Sequence, residues 1–252
     1  MKRFTIYTFI LLLPYLASAQ FEEQISVKDA TDAAYNIRTS GVKIVKDFVY
    51  SNMAINFANK EMDNSFSNSE DAILTLELYT KDKPEAQKTL NTIKALRKKG
   101  RMGFLRKPKK EQMGKMKKML GKLLQLNNKL IKQIKASSQN QVPKEYELAR
   151  KIEVSIQQLT LLHALKAMGD KSEDTNTKTQ KLTKGIGMMI NQLMASKNNS
   201  EDTSYYLQLL KSDYDMFVKT LSNNDNSNFL NTLYVLSNKI GNMAHKIAYA
   251  FK

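Results

Sequence analysis

Hydrophobic positions along this chain recur every three or four residues and seldom alternate, which is the period of an amphipathic helix and not of a strand. From about Ala30 to Lys60, Ile37, Gly41, Ile44, Phe48 and Ile55 fall on one stripe, widened by Val45. The Asn- and Ser-rich stretch Asp63 to Asn68 then reads as a loop, and Ser67 with Glu70 as a capping box that restarts a helix through Ala72, Leu74, Leu76 and Leu78. Pro84 opens a third segment toward Arg97, Gly100 and Gly103 close it, and Pro108 opens a fourth. There Met113, Met116, Leu120, Leu123, Asn127, Leu130 and Ile134 keep a strict three-four alternation, one continuous seam.

After a polar connector, Ala136 to Gln141, the plan repeats. Pro143 starts a helix with Leu148, Ile152, Ile156, Leu159 and Leu162 on one face, ending at Gly169. Ser172 caps a segment through Leu182, Ile186, Met189 and Leu193, and Ser200 caps another through Tyr206, Leu210, Tyr214, Phe217 and Leu221. The last, from about Ser227, places Leu233, Leu236, Ile240, Met243, Ile247 and Ala250 on a seam. Residues 29 to 137 and 143 to 251 are each 109 long, and Leu126-Asn127-Asn128-Lys129-Leu130 mirrors Leu236-Ser237-Asn238-Lys239-Ile240 at an offset of 110. No single helix can bury its own stripe, so four per half predict an all-α fold of two tandem antiparallel four-helix bundles, 20–140 and 141–252. One elongated fused bundle is the alternative.

Composition narrows the chemistry. With no Cys, disulfides, thiolate metal sites, Cys nucleophiles and lipoprotein maturation are excluded. His163 and His245 are the only histidines, 82 positions apart, so a His-rich metal site is not expected, nor any cofactor. His163 reads as a packed helix residue at the edge of an apolar face, and His245 lies beside the seam positions Met243 and Ile247. The 13 Met are core filler along seams. Acid pairs Glu70-Asp71, Glu173-Asp174 and Glu201-Asp202 stand at predicted helix starts, where they complement the dipole. With no phosphate loop or dinucleotide glycine pattern either, the expectation is a protein that is not an enzyme.

Lys2 and Arg3, the apolar run around Ile10 to Leu13 and the small-x-small site Ala17-Ser18-Ala19 make residues 1–19 a predicted signal peptide, with cleavage before Gln20 and a periplasmic or secreted product. No later stretch is apolar for the 18 residues a bilayer span needs. Of the net charge of +16, residues 97 to 135 alone hold 15 Lys or Arg against Glu111. That block, including Arg97, Lys98, Lys99, Arg101, Arg106, Lys107, Lys109 and Lys110, is a candidate polyanion-binding segment or else a solvated face. Phe104 is its only aromatic residue, which argues against a base-stacking platform.

The helix plan, the repeat length and the stretch from Leu148 to Gly169 resemble the N-terminal sensory domain of type IV pilus methyl-accepting chemotaxis transducers, the PilJ-type domain. In Leu148-Ala149-Arg150-Lys151-Ile152-Glu153-Val154-Ser155-Ile156-Gln157-Gln158, Gln157 falls on the family's signature Gln, Lys151 on its first Arg and Glu153 on its second. In the first half, Arg38 falls on the second Arg and Lys43 on the Arg after the Gln, where Val42 stands for the Gln. The resemblance implies a degenerate tandem pair without transmembrane or signalling modules, acting as a sensor-accessory protein with a possible envelope partner. It also implies a small-anion site, nitrate in some members, built from Arg38, Lys43, Arg150, Lys151 and Gln157. Arg and Gln on an inward face supply a planar fork and an amide suited to an oxyanion. A carboxylate at Glu153 repels an anion and Val42 donates nothing.

Overall fold

The computed structural model describes residues 25–53, 55, 57–101, 110–137, 142–170, 172–222 and 228–251. These form eight helices and no strand: α1 Val27–Ser51, α2 Ala58–Thr80, α3 Pro84–Arg101, α4 Lys110–Ala136, α5 Lys144–Ala167, α6 Glu173–Met194, α7 Glu201–Ser222 and α8 Phe229–Ala250. The segment read as a signal peptide, Pro108 and most of the connector after Ala136 lie outside the described residues.

Several ends follow the chemistry read from the sequence. The Ser172 and Ser200 hydroxyls accept from the Thr175 and Thr203 amides at the starts of α6 and α7, Pro84 is the first residue of α3, and Pro143 immediately precedes α5. Asp63 to Asn68 is not a loop. It lies inside α2, and the Ser67/Glu70 pair caps nothing there. The reason is a disguised seam: Ala58, Met62, Ser65, Ser69, Ala72, Leu76 and Tyr79 keep the three-four spacing and are buried or half-buried, with two serines where an apolar residue would advertise the stripe.

Helices α1 to α4 pack as a ring, α1 on α2 and α4, α3 on α2 and α4. Helices α5 to α8 do the same, α5 on α6 and α8, α7 on α6 and α8. Between the two sets α1 packs closely against α5, side chains of α8 reach α1, α4 pairs with α5, and a single core cluster runs through both. A helix flanked on one side by its own bundle and on another by its neighbour's is buried nearly all round. From Ala30 to Tyr50 only Asn36, Arg38 and Lys43 escape full burial in α1, and from Ala149 to Leu165 the interior of α5 is almost as enclosed. Helices meet closely at Gly241, where a Cβ would stand 2.6 Å from Gln157 Nε2, and at Gly41, where it would run into Leu123 Cδ2.

Candidate functional site

The α1–α5 contact buries charge, and α8 completes it. Arg150, on α5, is 0% exposed. Its Nη1 lies 2.7 Å from Glu153 and also meets His245 Nδ1 of α8, Nη2 donates to Asn36 of α1, and Nε stands 3.8 Å from Asp32. Asp32 in turn accepts from the hydroxyls of Tyr146, at 2.5 Å, and Tyr249, at 2.6 Å. Burial alone would lower the guanidinium pKa, but Glu153, Asp32 and the nearby tyrosines outweigh it and hold Arg150 above its ordinary value. Burial and the Asp32 bond push Tyr249 up to about 12, so that hydroxyl stays a donor.

Two turns along α5 a second network repeats the idea. Lys46 of α1, also 0% exposed, donates to Gln157 at 2.6 Å and to Asn238 of α8 at 2.5 Å, with Asp47 at 3.3 Å. Its ammonium sits 4.2 Å from the Tyr234 ring centroid, and the Tyr234 hydroxyl donates to Asp47 at 2.9 Å. Gln157 Nε2 donates to the Ser237 carbonyl at 2.9 Å. Burial, partly offset by Asp47, lowers Lys46 to about 8, and burial raises Asp47.

Beside the Arg150 network a cleft of about 480 Å³ opens between α1 and α2, reaching α5 and α8. Asp29, Asp32, Asn36, Thr39 and Lys43 line it from α1, Ser65 and Asp71 from α2, Glu153 from α5 and His245 from α8. Its size is in the range of small-molecule sites. Thr39 and Ser65, 5% and 2% exposed, each carry a buried hydroxyl without a hydrogen-bond partner. Such groups are uncommon in folded interiors because the lost water is not replaced.

The residues implied by the resemblance do not converge. Gln157 is spent on Lys46 and Ser237, and Arg150 faces two carboxylates. Lys151 is exposed and 3.8 Å from Glu147. Arg38 is half-buried with Nε lacking a partner, and burial lowers its pKa. Only Lys43 lines the cleft, where it stands 3.7 Å from Glu61. Of the cleft's acids the sequence names Glu153 only as a departure from the signature and Asp71 only as a helix-start acid, and it singles out neither Asp29 and Asp32 nor the Thr39 and Ser65 hydroxyls. Asp29, Asp32, Asn36, Thr39 and Lys43 keep the three-four spacing on α1, but that is the spacing of any polar helix face and marks no cleft by itself.

In the basic segment, Arg101 pairs with Glu70 at 3.1 Å and Arg97 is half-buried, its pKa lowered by that burial. Lys98 and Lys99 are exposed. Arg106, Lys107 and Lys109 lie outside the described residues, as does the Lys110 side chain. Lys117 and Lys135 turn inward to Asp170 and Glu147, while Lys115, Lys118, Lys122, Lys129 and Lys132 form an exposed stripe along α4 with no ion pair among the described residues.

His163 is a packed residue: half-buried, edge-on to Phe229 at 6.4 Å, its Nε2 without a partner. Burial lowers its pKa to about 4. The unfolded chain therefore takes up this proton near pH 6.5 and the folded one only near pH 4, so stability falls as pH drops through that window. Urea titrations of wild type and His163→Leu should show a shallower loss between pH 6.5 and 4 in the variant, and parallel curves would refute the assignment.

Among the described residues no group of His, Asp and Glu is arranged to hold a metal, and no helix is long and apolar enough to cross a membrane. Comparison with family models, curated proteins and solved structures finds no match to this chain.

Proposed function

We propose that the protein is an exported, non-enzymatic binding module of the sensor-accessory kind, with its ligand site in the α1–α2 cleft. The observation that carries the reading is a 480 Å³ polar cleft lined by two buried hydroxyls that no protein group satisfies. The cleft draws residues from both four-helix sets, so a ligand there touches α1 and α2 on one side and α5 and α8 on the other. Occupancy that favours one packing of the α1–α5 contact over another is the elementary requirement of a sensor. Against catalysis, the titratable groups at the cleft floor are committed to one another, Asp32 to two tyrosine hydroxyls and Glu153 to Arg150 and His245. Export rests on the cationic, apolar and Ala-Ser-Ala pattern of residues 1–19.

A second reading, a surface-association protein that holds polyanions, is favoured by the lysine stripe on α4. A thermal-shift screen of small polar molecules separates the two. A cleft ligand at about 100 times its Kd adds about 2.7 kcal/mol of stability. Under the second reading no small molecule stabilises, and heparin retention instead falls steeply with salt as counterions are released. Replacing Lys115, Lys118, Lys122 and Lys129 by Gln should reduce that salt dependence and leave small-molecule binding unchanged.

A further inference from the structure

We infer that the cleft takes a small organic ammonium compound, held by Asp71 and by the Thr39 and Ser65 hydroxyls. The inference rests on the cleft being the ligand site. Its walls carry four carboxylates, Asp29, Asp32, Asp71 and Glu153, against two permanent cations, Lys43 and the underlying Arg150, so acids outnumber fixed cations by two. This is a local reversal in a chain whose overall net charge is +16. A focused negative potential in a concave site raises the local concentration of cations, while the positive field elsewhere keeps cations off the rest of the surface.

The four acids are not equivalent. Asp32 and Glu153 lie against Arg150, and Asp29 accepts from the Ser26 hydroxyl at the start of α1. Asp71 is exposed, in no ion pair among the described residues, and it lines the cleft from α2, a helix that carries no member of the Arg150 network. It is the carboxylate available to a ligand ammonium. Thr39 and Ser65 bring buried hydroxyls from the two facing helices, each able to donate and accept, which suits an amine that also carries hydroxyl or further amine groups. An oxyanion would meet carboxylates where it needs donors, and a purely apolar molecule would leave both hydroxyls unsatisfied.

Calorimetric titration tests this with the full chain and matched probes: putrescine, spermidine and glucosamine as ammonium compounds, 1,4-butanediol and glucose as their uncharged counterparts, and nitrate as the anion. At least one ammonium probe should bind while its uncharged counterpart does not, and Asp71→Asn should weaken that binding about tenfold or more, the worth of a charge-assisted hydrogen bond. Thr39→Val and Ser65→Ala should weaken it severalfold. Because those hydroxyls have no protein partner, the unliganded variants should melt at or above the wild-type temperature, which a merely structural role for the two residues does not allow. Binding of glucose, butanediol or nitrate in preference to the amines, abolished by a cleft-blocking Ser65→Leu, would overturn the ammonium inference and leave the binding-module reading standing. Binding of none of the probes would overturn both. Ammonium binding that survives Asp71→Asn undiminished would place the cation elsewhere and overturn the inference alone.

Discussion

Replacing Arg150 by methionine is expected to destabilise the fold by about 3 to 5 kcal/mol, the usual consequence of removing one partner from a buried ionic cluster. Methionine fills much of the volume, so the loss is electrostatic: Asp32 and Glu153, buried beside the guanidinium, are left facing each other across the α1–α5 contact. The melting temperature should fall by roughly 6 to 20 °C for a chain of this size. Arg150→Lys should recover little, because the planar fork reaches Glu153, His245 and Asn36 at once and a single ammonium does not. Adding Asp32→Asn and Glu153→Gln to Arg150→Met removes the stranded charges and should recover a large part of the loss. Urea denaturation of the single and triple variants measures this, and a single-variant loss below about 1 kcal/mol would mean that water from the adjacent cleft already solvates the cluster.

The same cluster explains what the sequence could and could not reveal. Seven positions of α4 at three-four spacing, six of them apolar, are legible without any structure, because their burial needs only that some helix lie opposite. The capping serines at 172 and 200 are legible for the same reason, since their partners are three residues away. Arg150 and Asn36 are 114 residues apart, and Tyr249 and Asp32 are 217 apart. On a helical wheel Asp32, Asn36 and Lys46 sit on what reads as the solvated side of α1, and nothing local distinguishes a water-facing aspartate from one that meets tyrosine hydroxyls of two other helices. The serines of α2 mislead in the opposite sense. Ser65 falls in the stretch read as a loop because serine competes for backbone hydrogen bonds, yet as small residues on a seam Ser65 and Ser69 let α2 approach α1. The implied anion site failed to assemble for a related reason. A motif names residue types along one helix, while Arg150 and Gln157 answer to charges on two other helices.

Polar networks at a helix contact tend to fix register more than they add stability, because an alternative register strands every member. Here α1 and α5 are long helices that each bury more than one face, and purely apolar surfaces would let them slide by a turn. The Arg150 and Lys46 networks, one at each end of a seven-residue interval on α5 from Arg150 to Gln157, allow one alignment. Gly241 tightens it, since a Cβ there would press on the Gln157 amide that bonds Lys46 and the Ser237 carbonyl.

Lys46 is where this reasoning meets pH. Burial lowers its pKa to about 8, so between about pH 8 and the ordinary lysine value near 10.5 the folded chain has released a proton that the unfolded chain still holds. Stability rises with pH wherever the unfolded state binds more protons, so wild type should gain roughly 1 to 2 kcal/mol between pH 8 and 9.5. Tyr50, Tyr146 and Tyr234, all raised by burial, pull the other way near pH 10, where the unfolded chain ionises first, and this sets the upper limit of the window. Lys46→Met should abolish the rise. It should also cost about 3 to 5 kcal/mol at pH 7, because Asp47, itself buried, then keeps only the Tyr234 hydroxyl while Gln157 and Asn238 lose their donor. In the double variant Lys46→Met with Asp47→Asn the buried carboxylate is gone, and the coupling between the two substitutions should exceed about 1 kcal/mol. Additive losses, with the rise above pH 8 retained in Lys46→Met, would show that the charge of Lys46 is not what the α1–α5 contact responds to.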